Sequence, residues 1–177
     1  MCAFRRKRFS DKSMRLQGYD YCRNGKYFIT ICTKNKIPYF GNIDDGKMNL
    51  SEPGKIIDKF WNEIPNHFPF VILDEYIIMP DHMHGILIIQ HSENNDAGTP
   101  KLGVPASASA NRGNQYWKPN SIGSIINQFK RICTITIKTN GYEFAWQPRY
   151  HDRIIQTDAQ LNRIRRYIMM NPLKWNH

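Results

Sequence analysis

His82, Met83 and His84 place two imidazoles one apolar residue apart, inside a run rich in β-formers (YIIMPDHMHGILII, 76–89). Side chains alternate along a strand, so both rings would share a face while Met83 points the other way into packing. Two imidazoles on one face are half of a metal site. They are equally a pair of packed histidines among the six in the chain. Late in the sequence Tyr167 and Asn171 stand four residues apart, which on a helix presents a phenol and an amide oxygen together. If that helix face meets the strand, the combined donors suit a divalent cation with open positions, able to grip phosphodiester oxygens and polarise the phosphorus. A phenol is a poor nucleophile at its reference pKa of about 10, but a nearby cation, helped by Arg165 and Arg166, would stabilise the phenolate. Attack would leave a covalent phosphotyrosine, which a 3′-hydroxyl can resolve by rejoining strands without ATP. The plain alternative is that Tyr167 packs its ring as an ordinary helix residue.

The elements that must position these residues follow from periodicity and punctuation. Residues 26–33 (KYFITICT) are β-branched and aromatic and predict a strand. Residues 34–52 carry Pro38, Gly41, Asn42, Asp44, Asp45 and Gly46, and predict a hairpin turning near Asp45 and Gly46. Ser51 caps a helix whose buried stripe is Ile56, Ile57, Phe60, Trp61 and Ile64. Strands at 70–79 and 82–90, joined by Pro80 and Asp81, come next, and the second is apolar enough on both faces to lie inside the sheet. A second helix starts after Ser121 with apolar residues at 122, 125, 126, 129 and 132, leaving Lys130 and Arg131 off the stripe. A strand over 144–155 follows, pushed towards an edge or bulge by Pro148. Asp158 caps a last helix carrying Leu161, Ile164, Tyr167 and Ile168, which Asn171 and Pro172 stop. This order suits an α+β fold with a mainly antiparallel central sheet and packed helices, a split βαβ or ferredoxin-like plan being the simplest topology.

Composition limits the partners. A chain of 177 residues with 41% apolar content supports one domain, with a basic N-terminal arm over 1–18 and a flexible Ser/Asn/Ala/Gly/Pro insertion over 91–120. Nothing approaches the roughly 20 apolar residues of a membrane span, and the basic N-terminus has no apolar segment behind it, so no membrane partner and a cytoplasmic location are expected. Cys2, Cys22, Cys32 and Cys133 lack metal-knuckle or disulfide spacing. A net charge of +10 favours a polyanion, nucleic acid first, through phosphate contacts and counterion release. The DNA-contact candidates, chosen by charge, are Arg5, Arg6, Lys7, Arg8 and Arg15 in the arm, then Lys130, Arg131, Arg149 and Arg153, with Arg165 and Arg166 beside Tyr167. Each cluster alone could equally be a solvated face.

Five stretches together amount to a family resemblance: RLQGYDY at 15–21, YFITICT at 27–33, IMPDHMHG at 78–85, WQPRYHD at 146–152 and YIMMNPLK at 167–174. In this order they resemble the single-tyrosine HUH transposases, in particular the REP-associated tyrosine transposase branch. The resemblance spans nearly the whole chain except the insertion. It implies a ferredoxin-like HUH nuclease fold, a Mg²⁺ or Mn²⁺ ion held by His82 and His84 with Asn171 as a third, polar ligand, and Tyr167 as nucleophile. It also implies cleavage of single-stranded DNA beside a hairpin, giving a 5′-phosphotyrosine and a free 3′-hydroxyl, by a monomer or homodimer. The long insertion departs from the pattern, as does the stop soon after Lys174, where some relatives continue. Tyr150, followed by His151 and Asp152, is a rival nucleophile that lacks a polar partner one turn on. Two other readings remain: a non-catalytic nucleic-acid-binding domain of the same fold, and a zinc hydrolase using the same histidines with water as nucleophile, for which no third ligand at zinc spacing is evident.

Overall fold

A computed structural model describes residues 20–91 and 120–175. The basic arm, with Arg5, Arg6, Lys7, Arg8 and Arg15, and nearly all of the insertion lie outside the described residues. Strands β1 (Gly25–Cys32), β4 (Val71–Met79), β5 (His82–Ile89) and β6 (His151–Ile155) form one antiparallel sheet in the order β4-β5-β1-β6. β2 (Gly41–Asp44) and β3 (Lys47–Leu50) form a separate hairpin. Asp45 and Gly46 at its tip both have positive φ (47° and 69°), as the favoured two-residue hairpin turn requires. The expected α+β, ferredoxin-like plan is the observed one, with β1 and β5 in the middle of the sheet.

Strand alternation divides the apolar residues between two faces. Tyr27, Ile29 and Ile31 of β1 and Met83, Leu87 and Ile89 of β5 enter the main core, under α1 (Glu52–Asn62) and α3 (Ile122–Thr139). The opposite face carries Ile86 and Ile155, which pack with Leu161 and Ile168 of α4 (Asp158–Met169). Gly85, on the main-core face of β5, is a point of close approach. A Cβ there would lie 2.3 Å from Cζ2 of Trp61, a ring fully buried in the core. Gly85→Ala is therefore expected to destabilise the protein by about 1–3 kcal/mol, the range for overpacking a filled interior, read as a lower denaturant midpoint.

Four points differ from the sequence-based expectation, each for a local reason. Ile64 is buried but opens a separate short helix, α2 (Ile64–His67), because Pro65 cannot continue the turn begun in α1. α3 runs on to Thr139, with Cys133 and Ile137 extending its buried stripe, while Ile132 is 41% exposed. Positions 122, 126, 129, 133 and 137 run along the centre of the buried stripe, and Ile132 lies at its margin, beside Ile125. The strand expected over 144–155 is limited to β6. Trp146 makes only an isolated bridge to Thr33, Pro148 has no N–H, and Arg149 turns left-handed at φ 65°. α4 is capped by Thr157, whose Oγ1 accepts from Gln160 N at 3.2 Å. Asp158 lies in the first turn and pairs with Lys26 at 2.8 Å.

Candidate active site

The alternation along β5 puts His82 and His84 on the sheet face covered by α4, with Met83 buried on the other. Their ring centroids are 4.7 Å apart. Each ring is held at Nδ1. That of His84 lies 2.8 Å from Thr30 Oγ1, its register partner on β1, and that of His82 donates to Asp81 Oδ1 at 2.5 Å. Phe28, one row along β1, stacks on His84 at 5.3 Å and 26°. The carboxylate fixes His82 in the Nδ1–H tautomer and leaves its Nε2 with a lone pair, the state that binds metal, while the Thr30 hydroxyl, which can donate or accept, orients the His84 ring.

α4 brings the phenol to this pair. Leu161 and Ile168 seat the helix on Ile86 and Ile155, and Arg165 clamps it to β4 through a two-pronged ion pair with Asp74 (Nε 2.8 Å, Nη2 2.6 Å). The Arg165 guanidinium holds the Asp74 carboxyl below the usual carboxylate range. So anchored, Tyr167 lies edge-on to Phe28 and places its Oη 3.2 Å from His84 Nε2. Tyr167 is 45% exposed and His84 only 6%, so the phenol is open to a substrate while the ring behind it is enclosed. Beyond Tyr167 the backbone stays right-handed through Met170 and Asn171, turns over Pro172–Lys174, and sets the Trp175 ring 5.9 Å from His82. Asn171 thus lies on the stretch that runs from one histidine to the other.

Burial, then the neighbouring His82 and Lys36 charges, push His84 down to about 3, so its imidazole is neutral across physiological pH. Burial opposes the ionisation of Asp81, but the hydrogen bond from His82 and the Lys36 charge outweigh it and keep the carboxyl below its ordinary value. The donors present fit a divalent cation. His82 Nε2 has no partner among the described residues, and the buried amide nitrogen of Asn171 has none either, so that amide end is free for a ligand in either of its two orientations. Two imidazoles and an amide oxygen would hold Mg²⁺ or Mn²⁺ with positions left open. Among the described residues no group of three His, Cys, Asp or Glu side chains could hold a metal, so the zinc hydrolase gains no third ligand.

The other candidates are scattered. Lys130 is half-buried, its Nζ donating to the carbonyls of Gln147 and Arg149 at 2.8 Å each and lying 5.7 Å over the Trp146 ring, and burial pushes it down to about 8. Its visible work is to hold the 146–150 segment, as that of Arg165 is to hold α4. Arg131 and Arg166 are exposed, and Arg153 is exposed in register with Phe28, on the histidine face. Tyr150 packs against the main core. Sequence reasoning missed Thr30, Phe28, Lys36 and Trp175, whose parts depend on register and loop path. Asp81 alone carried a signal, as a carboxylate adjoining a ligand-type histidine.

The four-stranded antiparallel sheet, with a His-x-His pair on an inner strand and a helical tyrosine against it, makes an α+β fold that a solved transposase shares. One solved member of that fold, a REP-associated tyrosine transposase bound to a REP hairpin, superposes with a TM-score of 0.58 over 91% of this chain and 74% of its own, at 16% identity. At that identity the likeness is one of fold. By sequence, the chain belongs to the family of an uncharacterized protein from Haemophilus influenzae, to which it is 37% identical over 165 residues, 93% of this chain and 89% of that one. No protein-family model matches the chain. No helix among the described residues is long and apolar enough to cross a membrane.

Proposed function

We propose that this protein is a transposase-type strand transferase that cleaves single-stranded DNA beside a hairpin, using Tyr167 as nucleophile and a divalent cation held by His82, His84 and Asn171. The observation that carries the reading is the 3.2 Å approach of Tyr167 Oη to His84 Nε2, across 83 residues of sequence, at an exposed phenol backed by a buried neutral imidazole. The likeness in fold to a transposase solved on a REP hairpin supports hairpin DNA as the substrate class. When bound, Mg²⁺ or Mn²⁺ would supply charge to the non-bridging phosphate oxygens and favour the phenolate. The protein's own groups do the rest. Tyr167 Oη forms a bond to phosphorus as the bond from phosphorus to the 3′-oxygen breaks, the phenol proton passes to solvent, and the leaving 3′-oxygen takes a proton from solvent to become a hydroxyl. Arg166, next to Tyr167 on α4, and Arg153, exposed on the histidine face of β6, would steer the backbone in.

The test is incubation with hairpin oligonucleotides labelled at one end or the other, in Mn²⁺ or Mg²⁺. A 3′-labelled strand should become covalently attached to the protein, through Tyr167 on peptide mapping, while a 5′-labelled strand is released with a free 3′-hydroxyl. Salt-sensitive binding with no adduct on any hairpin would instead favour a non-catalytic DNA-binding domain.

A further inference from the structure

Lys36 is where the strand pattern gives no reason for it to be. β1 ends at Cys32, opposite His82, and the chain turns through Lys34–Lys36 with Asn35 and Lys36 both left-handed (φ 55° and 59°). Two successive residues with side chains adopt that region only where their surroundings compel them. The surroundings here are bonds to the turn that precedes His82. Thr33 N donates to Asp81 O at 2.9 Å, Phe40 N donates to Pro80 O at 3.0 Å, and Lys34 N is held by Ala145 O at 2.9 Å. Thr33 Oγ1, fully buried, lies between two carbonyls, Ile37 O at 2.8 Å and the same Asp81 O at 2.9 Å, and its single proton serves one or the other.

The result is the location of the Lys36 ammonium, 3.4 Å from Asp81 Oδ2 and 3.6 Å from Cys32 Sγ. Asp81 Oδ1 meanwhile accepts from His82 Nδ1. A carboxylate held at one oxygen can rotate about its terminal torsion, which is broad, and a cation near the second oxygen, here on a half-exposed side chain, narrows that freedom. Ammonium, carboxylate and imidazole thus form a line ending at the free Nε2 of His82.

We infer that Lys36 is a positioning residue for the cation site: acting through Asp81, it fixes His82 in the Nδ1–H tautomer and in the orientation that offers Nε2 to the cation. This rests on the reading of His82 as a cation ligand. Two effects of opposite sign make it testable. By charge alone Lys36 would repel a second cation, so removing it would tighten metal binding. Acting through Asp81, its removal must loosen binding, by about 10-fold if it behaves as other partners behind metal ligands do.

The experiment uses the whole protein with Lys36→Met and Lys36→Arg. In the metal-free state, ¹⁵N NMR of the His82 ring reports the tautomer, and Mn²⁺ alone is then titrated with electron paramagnetic resonance of the free ion as readout. Lys36→Met should lose the single Nδ1–H signature and weaken Mn²⁺ binding about 10-fold, and Lys36→Arg should restore both. Unchanged His82 ring signals in Lys36→Met, or Mn²⁺ bound as tightly as or more tightly than by the wild type, would overturn the inference. If the wild type binds no Mn²⁺ the cation reading fails by itself, and the ring signals still decide whether Lys36 positions His82.

Discussion

Tyr167→Phe is expected to lower the rate of covalent adduct formation on hairpin single-stranded DNA by at least ~10³-fold, to below detection in a gel assay, because it removes the attacking atom itself. The substitution suits the question because it deletes one oxygen and keeps the ring. The edge-on contact with Phe28 at 6.1 Å survives and the side chain is nearly half exposed, so the stability lost should be about 0.5–1.5 kcal/mol, that of the bond to His84 Nε2. Retention of the adduct in Tyr167→Phe would end the assignment and return attention to Tyr150. Retention of strand cleavage without any adduct would point to water as nucleophile.

His82→Ala should cost at least ~10²-fold in Mn²⁺ affinity and in adduct yield, more than the loss of a group that merely orients a ligand. It should leave binding to hairpin DNA at low salt within about 3-fold of wild type, since phosphate contacts by Lys and Arg dominate that affinity. His82 suits this test better than His84. The buried His84 ring also stacks on Phe28 and meets Thr30 and Tyr167, so its removal would damage packing as well as any metal site. Asp81, left without His82, keeps Lys36 at 3.4 Å and is not stranded as an unpaired buried charge. Unaltered Mn²⁺ binding in His82→Ala would remove the histidine pair from the cation site. Unaltered DNA binding with no activity in the wild type as well would support a binding domain.

Much of this site was legible from residue types and spacing because its parts depend on short-range periodicity. Alternation along one strand is enough to place His82 and His84 on one face, and the helical period is enough to put Tyr167 on α4, although that helix ends at Met169, before Asn171. The same logic gave the sheet's inner strand, since 82–90 is apolar on both sides. It failed where identity depends on more than period. Ile132 fits a loose i, i+3 series but lies at the margin of the buried stripe of a helix that continues to Thr139. The 144–150 segment has the aromatic content of a strand, yet Pro148 and the left-handed Arg149 keep it out of the ladder.

By itself, then, the sequence determined the α+β class, the shared face of the two imidazoles and the basic character of the molecule. The tertiary structure alone decided that helix and strand meet, because the 3.2 Å contact between Tyr167 and His84 spans 83 residues and depends on Arg165 gripping Asp74 across 91. It also decided what charge means locally. Lys130 and Arg165 are counted with the DNA-contact candidates by composition, yet in the fold one holds loop carbonyls and the other anchors a helix. Periodicity acts over a few residues and is written in order along the chain. The partner of a charge is chosen by packing, which brings distant segments together and is not written in their spacing.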